Sequence, residues 1–131
     1  MKVVDSSFLV RLLRGHDDAV QKAGELDAAG GAATSVVSVF EASYGTRELH
    51  DPARRSTELR RLFANLEVLP LSVEASLKAS EICGVYMDAG RRISPFDALV
   101  AGVAVSCGAE ALVTRYVEVF DLVPGLKVEK Y

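Results

Sequence analysis

Short apolar segments alternate with longer, helix-like segments along this chain of 131 residues. Two of the short segments are Val3-Val4 and Ala111-Leu112-Val113. Helical patterns of about ten residues or more separate most of them, and a connection of that length joins parallel strands through a crossover. The alternation therefore predicts an α/β fold of three layers, with a central, mostly parallel sheet and helices on both faces.

Glycine, proline and capping residues set the predicted ends of these elements. Strands are expected at 2–4, 32–34, 67–71 and 111–114, with a weaker one at 126–129. Helices are expected at 6–14, 17–28, 36–49, 51–64, 72–89 and 94–106, and an irregular or helical turn at 115–121. No repeat, low-complexity tract or linker divides the chain, so residues 1–131 are expected to form a single domain.

Composition favours a globular protein. Half of the residues are hydrophobic and a quarter are charged, which is typical of a soluble domain with a substantial core. No apolar run approaches the roughly 20 residues that cross a bilayer, and Asp5 and Arg11 interrupt any signal-peptide core. We therefore expect a cytoplasmic protein. Cys83 and Cys107, each alone in an apolar helical pattern, are expected to be small buried side chains.

Arginine is concentrated in one segment, although the formal net charge is only −3. The clustered arginines are Arg47, Arg54, Arg55, Arg60 and Arg61. Because a planar guanidinium suits phosphate recognition, the segment either contacts a phosphate-bearing partner or forms a solvated helix face. In the second case Glu48, Asp51 and Glu58 would be its ion-pair partners.

Asp5 stands where the first strand changes into the first helix. In open α/β sheets, ligands and reacting groups collect at the carboxyl ends of the strands. Asp5 is therefore either the cap of the following helix or the first member of a site. Since Ser6 and Ser7 could cap that helix instead, capping alone does not explain the carboxylate.

Glu41 projects from the edge of an apolar stripe instead of from a solvent face. On its predicted helix it shares one side with Val37 and Tyr44, and Phe40 is placed on the same buried stripe. A carboxylate buried there would usually have a cation, a metal or a proton, because an uncompensated buried charge is costly. The alternative is an edge position from which the carboxylate reaches water.

Asp97 is the third helical residue after Ser94, the spacing of a capping box. It also lies on a helical line with the small residues Ala101 and Ala104, along which another element could approach closely. The apolar stripe that begins at Phe96 is expected to face the core beside that line. Asp97 can therefore cap its helix and still point toward a crowded interior.

Convergence of Asp5, Glu41 and Asp97 would create a site for a cation. Carboxylates that meet repel one another and raise their own pKa values unless a cation lies between them. Mg²⁺ prefers oxygen ligands and keeps several waters when carboxylates hold one side of it. Such an ion can activate a water and stabilise charge that develops on a phosphate, so this acidic cluster with nearby arginines suits phosphodiester cleavage.

Four blocks of the sequence carry these carboxylates and the segment after the fourth strand. They are Val3-Val4-Asp5-Ser6-Ser7-Phe8-Leu9, Ser38-Val39-Phe40-Glu41-Ala42-Ser43-Tyr44-Gly45, Ile93-Ser94-Pro95-Phe96-Asp97-Ala98-Leu99-Val100-Ala101, and Gly108-Ala109-Glu110-Ala111-Leu112-Val113-Thr114-Arg115. In this order and spacing, over nearly the whole chain, they resemble the PIN domains of the VapC toxin type.

This resemblance implies a Mg²⁺- or Mn²⁺-dependent endoribonuclease that forms a homodimer and is neutralised by a small antitoxin protein. Asp5, Glu41 and Asp97 match three acidic positions of the family site, where they would be catalytic residues and metal ligands. Ser7 and Thr114 match hydroxyl positions that support the first carboxylate and the active-site loop. Three arginines near these segments are expected to contact RNA phosphates or the antitoxin: Arg11, Arg14 and Arg115.

Tyr116 departs from the family pattern, which commonly has aspartate or asparagine at this position, two residues after Thr114. A tyrosine, with a reference pKa of about 10, cannot serve as an anionic ligand near neutral pH. Neither Glu118 nor Asp121 stands at the matching position. A second reading therefore stays open, a PIN-like binding module with weak or no catalysis that is held by a protein partner. A nucleotide-binding domain is disfavoured, because no glycine-rich phosphate loop follows a predicted strand.

Overall fold

The chain folds around one parallel sheet with helices on its faces. A computed structural model describes residues 1–49 and 51–131. The strands are β1 (Lys2–Val4), β2 (Ala32–Ser35), β3 (Glu67–Leu69), β4 (Ala111–Thr114) and β5 (Val128–Lys130). Their order across the sheet is β3-β2-β1-β4-β5. Each neighbouring pair is parallel, so the expected parallel sheet is confirmed.

Helices connect these strands, and all the described α-helices except the second start at a side-chain cap. The helices in the described residues are α1 (Ser6–Leu13), α2 (Asp17–Ala28), α3 (Val36–Gly45), α4 (Pro52–Ala64), α5 (Val73–Asp88) and α6 (Pro95–Ser106), and a 3₁₀ turn spans Val117–Phe120. The capping side chains, each accepting from a backbone amide in the first turn, are Asp5, Ser35, Asp51, Ser72 and Ser94. None of these helices is long and apolar enough to cross a bilayer.

Two apolar cores lie on opposite faces of the sheet. Val3 and Val4 are adjacent in β1 and therefore point to opposite faces, yet both are 0% exposed. Val3 packs in a core with Ile82 of α5 and Val103 of α6. Val4 packs in a second core with Leu9 of α1. The predicted three-layer α/β architecture is confirmed.

α3 ends at Gly45 and not at residue 49 as predicted. Thr46 Oγ1 donates to the carbonyl of Ala42 at 2.6 Å. The Arg55 guanidinium, from α4, donates to the carbonyls of Thr46, at 3.1 Å, and Ser43. These bonds satisfy carbonyls at the helix terminus that would otherwise lack partners. Arg55 is thus committed to a structural role within the arginine-rich segment.

Three strands also differ from their predicted bounds. β2 runs one residue further than predicted, to Ser35. β3 stops at Leu69, because Pro70 has no N–H to donate to a neighbouring strand. β5 begins at Val128 instead of residue 126, since the Leu126 amide donates to the Val123 carbonyl in a turn at 3.4 Å. The chain reaches the sheet only after that turn.

The buried stripe predicted for α3 is wrong. Val37 is buried, but Phe40 and Tyr44 are 55% and 65% exposed, and Phe96, expected in the core, is 47% exposed. Phe40 stacks on Tyr44 and on Phe96, with ring centroids 6.1 and 5.9 Å apart. The buried side of α3 instead carries the small residue Ala42, because the helix packs between α1 and α6.

The expectation that both cysteines are buried is wrong as well. Cys83 is half-buried and Cys107 is exposed. Cys107 is the residue that ends α6, where the chain leaves the core for β4.

Candidate active site

Asp5 follows β1 directly and is only 6% exposed. It caps α1 by accepting from the Phe8 amide at 3.2 Å. Its two oxygens also accept from the hydroxyls of Ser7, at 2.6 Å, and Thr114, at 2.5 Å. Burial raises the pKa of Asp5, while these hydroxyl bonds act in the opposite direction. Asp5 therefore caps α1 and also belongs to a polar cluster.

The hydroxyls that hold Asp5 are themselves fixed by the chain that follows β4. The Arg115 amide donates to Ser7 Oγ at 3.2 Å, and the Tyr116 amide donates to Thr114 Oγ1 at 3.1 Å. Each hydroxyl thus accepts a hydrogen bond from a backbone amide and donates one to an oxygen of Asp5. This network ties the ends of β1 and β4 together at the carboxylate.

Glu41 lies half-buried on α3. Burial is the main cause that raises its pKa to about 7, and the negative charges of Asp97 and Asp5 add to the effect. The Ser6 hydroxyl acts in the opposite direction. Burial is thus the larger cause of the raised pKa of Glu41, and repulsion from the other two carboxylates is the smaller one.

Asp97 is oriented by Ser94, the residue that caps α6. Ser94 Oγ donates to Asp97 Oδ2 at 2.8 Å and accepts from the Asp97 amide at 3.1 Å. The bond from the Asp97 amide is the first half of a capping box, but the Asp97 carboxylate accepts from the Ser94 hydroxyl where a capping box has the Ser94 amide as the donor. The Asp97 side chain is half-buried and lines the cavity described next, where its carboxylate can accept further hydrogen bonds.

The three carboxylates line one cavity of about 420 Å³, which we call the acidic cavity. Its lining consists of Asp5, Ser6, Ser7, Val10, Arg11, Glu41, Asp97, Tyr116, Val119 and Phe120. Within residues 1–49 and 51–131, no group of three or more acidic, histidine or cysteine side chains is arranged closely enough to hold a metal ion by itself. The three carboxylates line the same cavity, and an ion between them would need water molecules to complete its ligand set.

Tyr116 occupies the wall of the acidic cavity where a fourth acidic residue would be expected. Its side chain is 55% exposed. Asp121 instead pairs with Arg91 at 2.9 Å, and Glu118 is exposed outside the cavity lining. Neither carboxylate therefore substitutes for the residue that Tyr116 replaces.

Of the predicted arginine contacts, only Arg11 lines the acidic cavity. Arg11 and Arg115 both donate to Asp18, with distances of 2.9 and 2.5 Å. Arg14 is exposed and donates to the Gly45 carbonyl at 3.2 Å. The arginine-rich segment does not contribute to the lining, and Arg61 lies instead in a different, mostly apolar groove.

Three residues near the site were not singled out by sequence reasoning: Ser6, Asp18 and Tyr131. In the sequence, Ser6 stands out only as a possible cap of α1. Asp18 is one of two acidic residues in the first turn of α2, a position that the helix dipole favours by itself. The Tyr131 ring lies edge-on to Phe8, with centroids 5.3 Å apart, and 5.8 Å from the Arg115 guanidinium carbon. No local pattern marks that contact, because Tyr131 reaches the site only through the pairing of β5 with β4.

Comparison with known proteins identifies the family. The sequence model of the PIN domain matches residues 2–116. The chain belongs to the PIN-domain family. The family resemblance of the four sequence blocks is thereby confirmed.

Two related proteins share the name tRNA(fMet)-specific endonuclease VapC. The one from Salmonella typhimurium is 27% identical over 97 residues, which cover 74% of this PIN domain's chain and 73% of the relative. The one from Shigella flexneri is 25% identical over 129 residues, covering 98% and 96%. Among solved structures, VapBC2 from Rickettsia felis bound to a promoter DNA fragment matches with a TM-score of 0.86. Its identity is 23%, over 99% of this chain and 98% of that chain, so it supports the fold alone.

Proposed function

We propose that this PIN-domain protein is a metal-dependent endoribonuclease that hydrolyses phosphodiester bonds in RNA, and that it is the toxin of a VapBC-type toxin–antitoxin pair. The observation that supports this most is the acidic cavity, which Asp5, Glu41 and Asp97 line from three different parts of the fold. The names of the two relatives, both endonucleases, agree with this chemistry. Such a toxin would act in the cytoplasm as one domain spanning residues 1–131.

Asp5, Glu41 and Asp97 are the residues that would hold Mg²⁺ or Mn²⁺. Their oxygen donors suit a hard divalent cation. The pKa of Glu41 is raised mainly by burial and to a smaller extent by the charges of Asp97 and Asp5, and a bound cation would offset both effects. The chemistry that a bound ion supplies is activation of a water and neutralisation of charge on the phosphate.

The chain itself orients the carboxylates. Ser7 and Thr114 hold both oxygens of Asp5, and Ser94 holds one oxygen of Asp97, so neither side chain has to be ordered when substrate binds. The apolar wall of Val10, Val119 and Phe120 lowers the local dielectric constant. Electrostatic interactions with a phosphate are stronger in such surroundings than in water.

The antitoxin partner would bind the apolar groove between α1, α2 and α4. This groove measures about 300 Å³, and its apolar lining residues are Phe8, Leu12, Leu13, Ala23, Leu26, Ala32, Leu62 and Leu66. An amphipathic helix from a partner would bury its apolar face there. Leu62→Asp should weaken co-purification with the antitoxin. The homodimer expected from the family resemblance is tested separately by analytical ultracentrifugation.

The function is tested by RNA cleavage with Asp5→Asn. Asparagine keeps the shape of the side chain but removes its charge, so we expect cleavage of tRNA in Mn²⁺ to fall at least about 100-fold while the fold is retained. Asp88→Asn, a matched change at an exposed residue at the end of α5, should cleave at the wild-type rate. Cleavage by Asp5→Asn at the wild-type rate would overturn the proposal.

A second candidate function, a PIN-like module without catalysis, is favoured by Tyr116 alone. Under that reading, wild-type protein binds no Mn²⁺, and Tyr116→Asp gains binding because it supplies a further carboxylate to the cavity wall. Under the nuclease reading, wild type already binds Mn²⁺, and Tyr116→Asp binds it more tightly. Calorimetric titration of both proteins with Mn²⁺ separates the two.

A further inference from the structure

Asp18, near the start of α2, joins two arginines that belong to different parts of the chain. Arg11 Nη2 donates to both oxygens of Asp18 at 2.9 Å. Arg115 Nη1 donates to Asp18 Oδ2 at 2.5 Å. The Asp18 carboxylate also accepts from the Ala19 amide at 2.8 Å, which fixes it relative to α2. The guanidinium of Arg11 is therefore held by an anchored carboxylate.

Arg11 is the cationic residue in the lining of the acidic cavity. The other charged groups that line it are the carboxylates of Asp5, Glu41 and Asp97. An RNA phosphate that approaches these carboxylates is repelled unless a cation or an arginine faces it. Arginine donates to a phosphate through a planar fork, which makes Arg11 the side chain of this cavity best suited to that contact.

We propose that Asp18 is a positioning residue that holds the Arg11 guanidinium at the wall of the acidic cavity, where Arg11 contacts a phosphate of the RNA backbone. The inference rests on the proposed nuclease function for the identity of the ligand. It assigns to Asp18 a role in RNA affinity, although Asp18 lies outside the cavity lining.

The physical reason is pre-organisation. A flexible arginine side chain loses conformational entropy when it binds a phosphate, because several of its rotatable bonds become fixed. A side chain that is already ordered loses less. Asp18 orders Arg11 directly, and Arg115, which lies over the Tyr131 ring, fixes Asp18 from the other side. Asp18 also offsets part of the positive charge of the two arginines, so its removal has an opposing electrostatic effect that must be controlled.

Asp17 provides that control. Asp17 and Asp18 are both in the first turn of α2, so Asp17→Asn and Asp18→Asn change the net charge and the helix terminus alike. Asp17 is exposed, and the bonds to Arg11 and Arg115 are made by Asp18. The Ala19 amide also donates to Asp18, but asparagine keeps a side-chain oxygen that can accept this bond. A difference between the two variants therefore reports mainly the arginine contacts.

The experiment measures binding of bulk tRNA to the full chain in EDTA, so that it does not depend on cleavage. The proteins are wild type, Asp17→Asn, Asp18→Asn, Arg11→Met and the double variant Arg11→Met with Asp18→Asn. We expect Asp18→Asn to raise the Kd roughly three- to tenfold above that of Asp17→Asn, the range expected for one immobilised side chain. In the Arg11→Met background, Asp18→Asn should change the Kd by less than about 1.5-fold, because its effect passes through Arg11.

Three results would overturn the inference. The first is a Kd for Asp18→Asn equal to that of Asp17→Asn, and the second is a lower one, which would make Asp18 a competitor of phosphate. The third is an effect of Asp18→Asn that persists in the Arg11→Met background, as a general loss of structure would produce. Because wild-type cleavage in Mn²⁺ is assayed in parallel, failure of the nuclease function is recognised independently of these binding results.

Discussion

Replacing Glu41 with glutamine should stabilise the metal-free protein at alkaline pH. Burial, followed by the charges of Asp97 and Asp5, raises the pKa of Glu41 from 4.5 to about 7. A pKa difference of one corresponds to about 1.4 kcal/mol, so ionised Glu41 would lower the free energy of unfolding by at most about 3.5 kcal/mol. Because Glu41 is only half-buried, solvent screening reduces the expected effect to about 1–2 kcal/mol.

The pH dependence of this effect has a definite sign. Folded Glu41 keeps its proton to a higher pH than unfolded Glu41, so the folded state binds more protons between pH 4.5 and about 7. The free energy of unfolding therefore falls as the pH rises through that window. Below it the carboxyl is protonated in both states, and wild type and Glu41→Gln should be nearly equal in stability. Above it the full difference should be present.

Urea unfolding in EDTA at the two ends of the window measures this difference. Glu48→Gln is the matched control, because it removes the same charge from an exposed glutamate in the turn after α3. A Glu41→Gln protein no more stable than wild type at pH 8 would refute the reasoning. Adding Mn²⁺ at 100 times its Kd should then stabilise wild type by about 2.7 kcal/mol and Glu41→Gln by less.

Two further substitutions test the packing and the hydrogen bonds around the site. Gly102→Ala should destabilise by about 1–3 kcal/mol, because its Cβ would lie 2.4 Å from the Ala75 carbonyl oxygen of α5. Gly84→Ala, where an added Cβ meets nothing within 4 Å, should be neutral or stabilising by up to about 1 kcal/mol, so thermal unfolding should separate the two. Thr114→Val keeps the side-chain shape but removes the 2.5 Å donor to Asp5, and urea unfolding at neutral pH should show a loss of about 1–3 kcal/mol. Unchanged stability would contradict the role assigned to that bond.

Most element boundaries could be predicted because the signals that set them are local. Ser72 and Ser94 accept from amides of their own first turns, and Asp51 does the same before Pro52. Such caps lie within three residues of the bonds they make, so a sequence pattern contains both partners. The end of α3 was mispredicted for the opposite reason, since the Arg55 side chain that binds its last carbonyls comes from another helix.

The buried side of α3 could not be read from its own residues. Apolar residues occupy two sides of this helix, and the pattern does not tell which one faces the sheet. The bulkier pair, Phe40 and Tyr44, looked like the core side, yet both are exposed. The neighbours α1 and α6 leave room for small side chains such as Ala42, and that constraint is tertiary.

Some residues of the candidate site could likewise be predicted from local sequence signals, and others could not. Three carboxylates of the site could be proposed from sequence: Asp5, Glu41 and Asp97. Each stands near the start of a helix or at the edge of an apolar helix stripe, and neither helix capping nor contact with water fully explains a carboxylate there. Asp18 could not, since its bond to Arg115 joins residues 97 positions apart and the carboxylate resembles any acidic residue at a helix start.

The central claim is that the acidic cavity binds a divalent ion and cleaves RNA with it. The most direct measurement is tRNA cleavage by wild-type protein in EDTA, followed by titration with Mn²⁺, with Mn²⁺ occupancy measured on the same samples. We predict no cleavage in EDTA, recovery in proportion to occupancy, and loss of both binding and cleavage in Asp97→Asn. Cleavage that persists in EDTA, or that Asp97→Asn retains at the wild-type rate, would contradict the account.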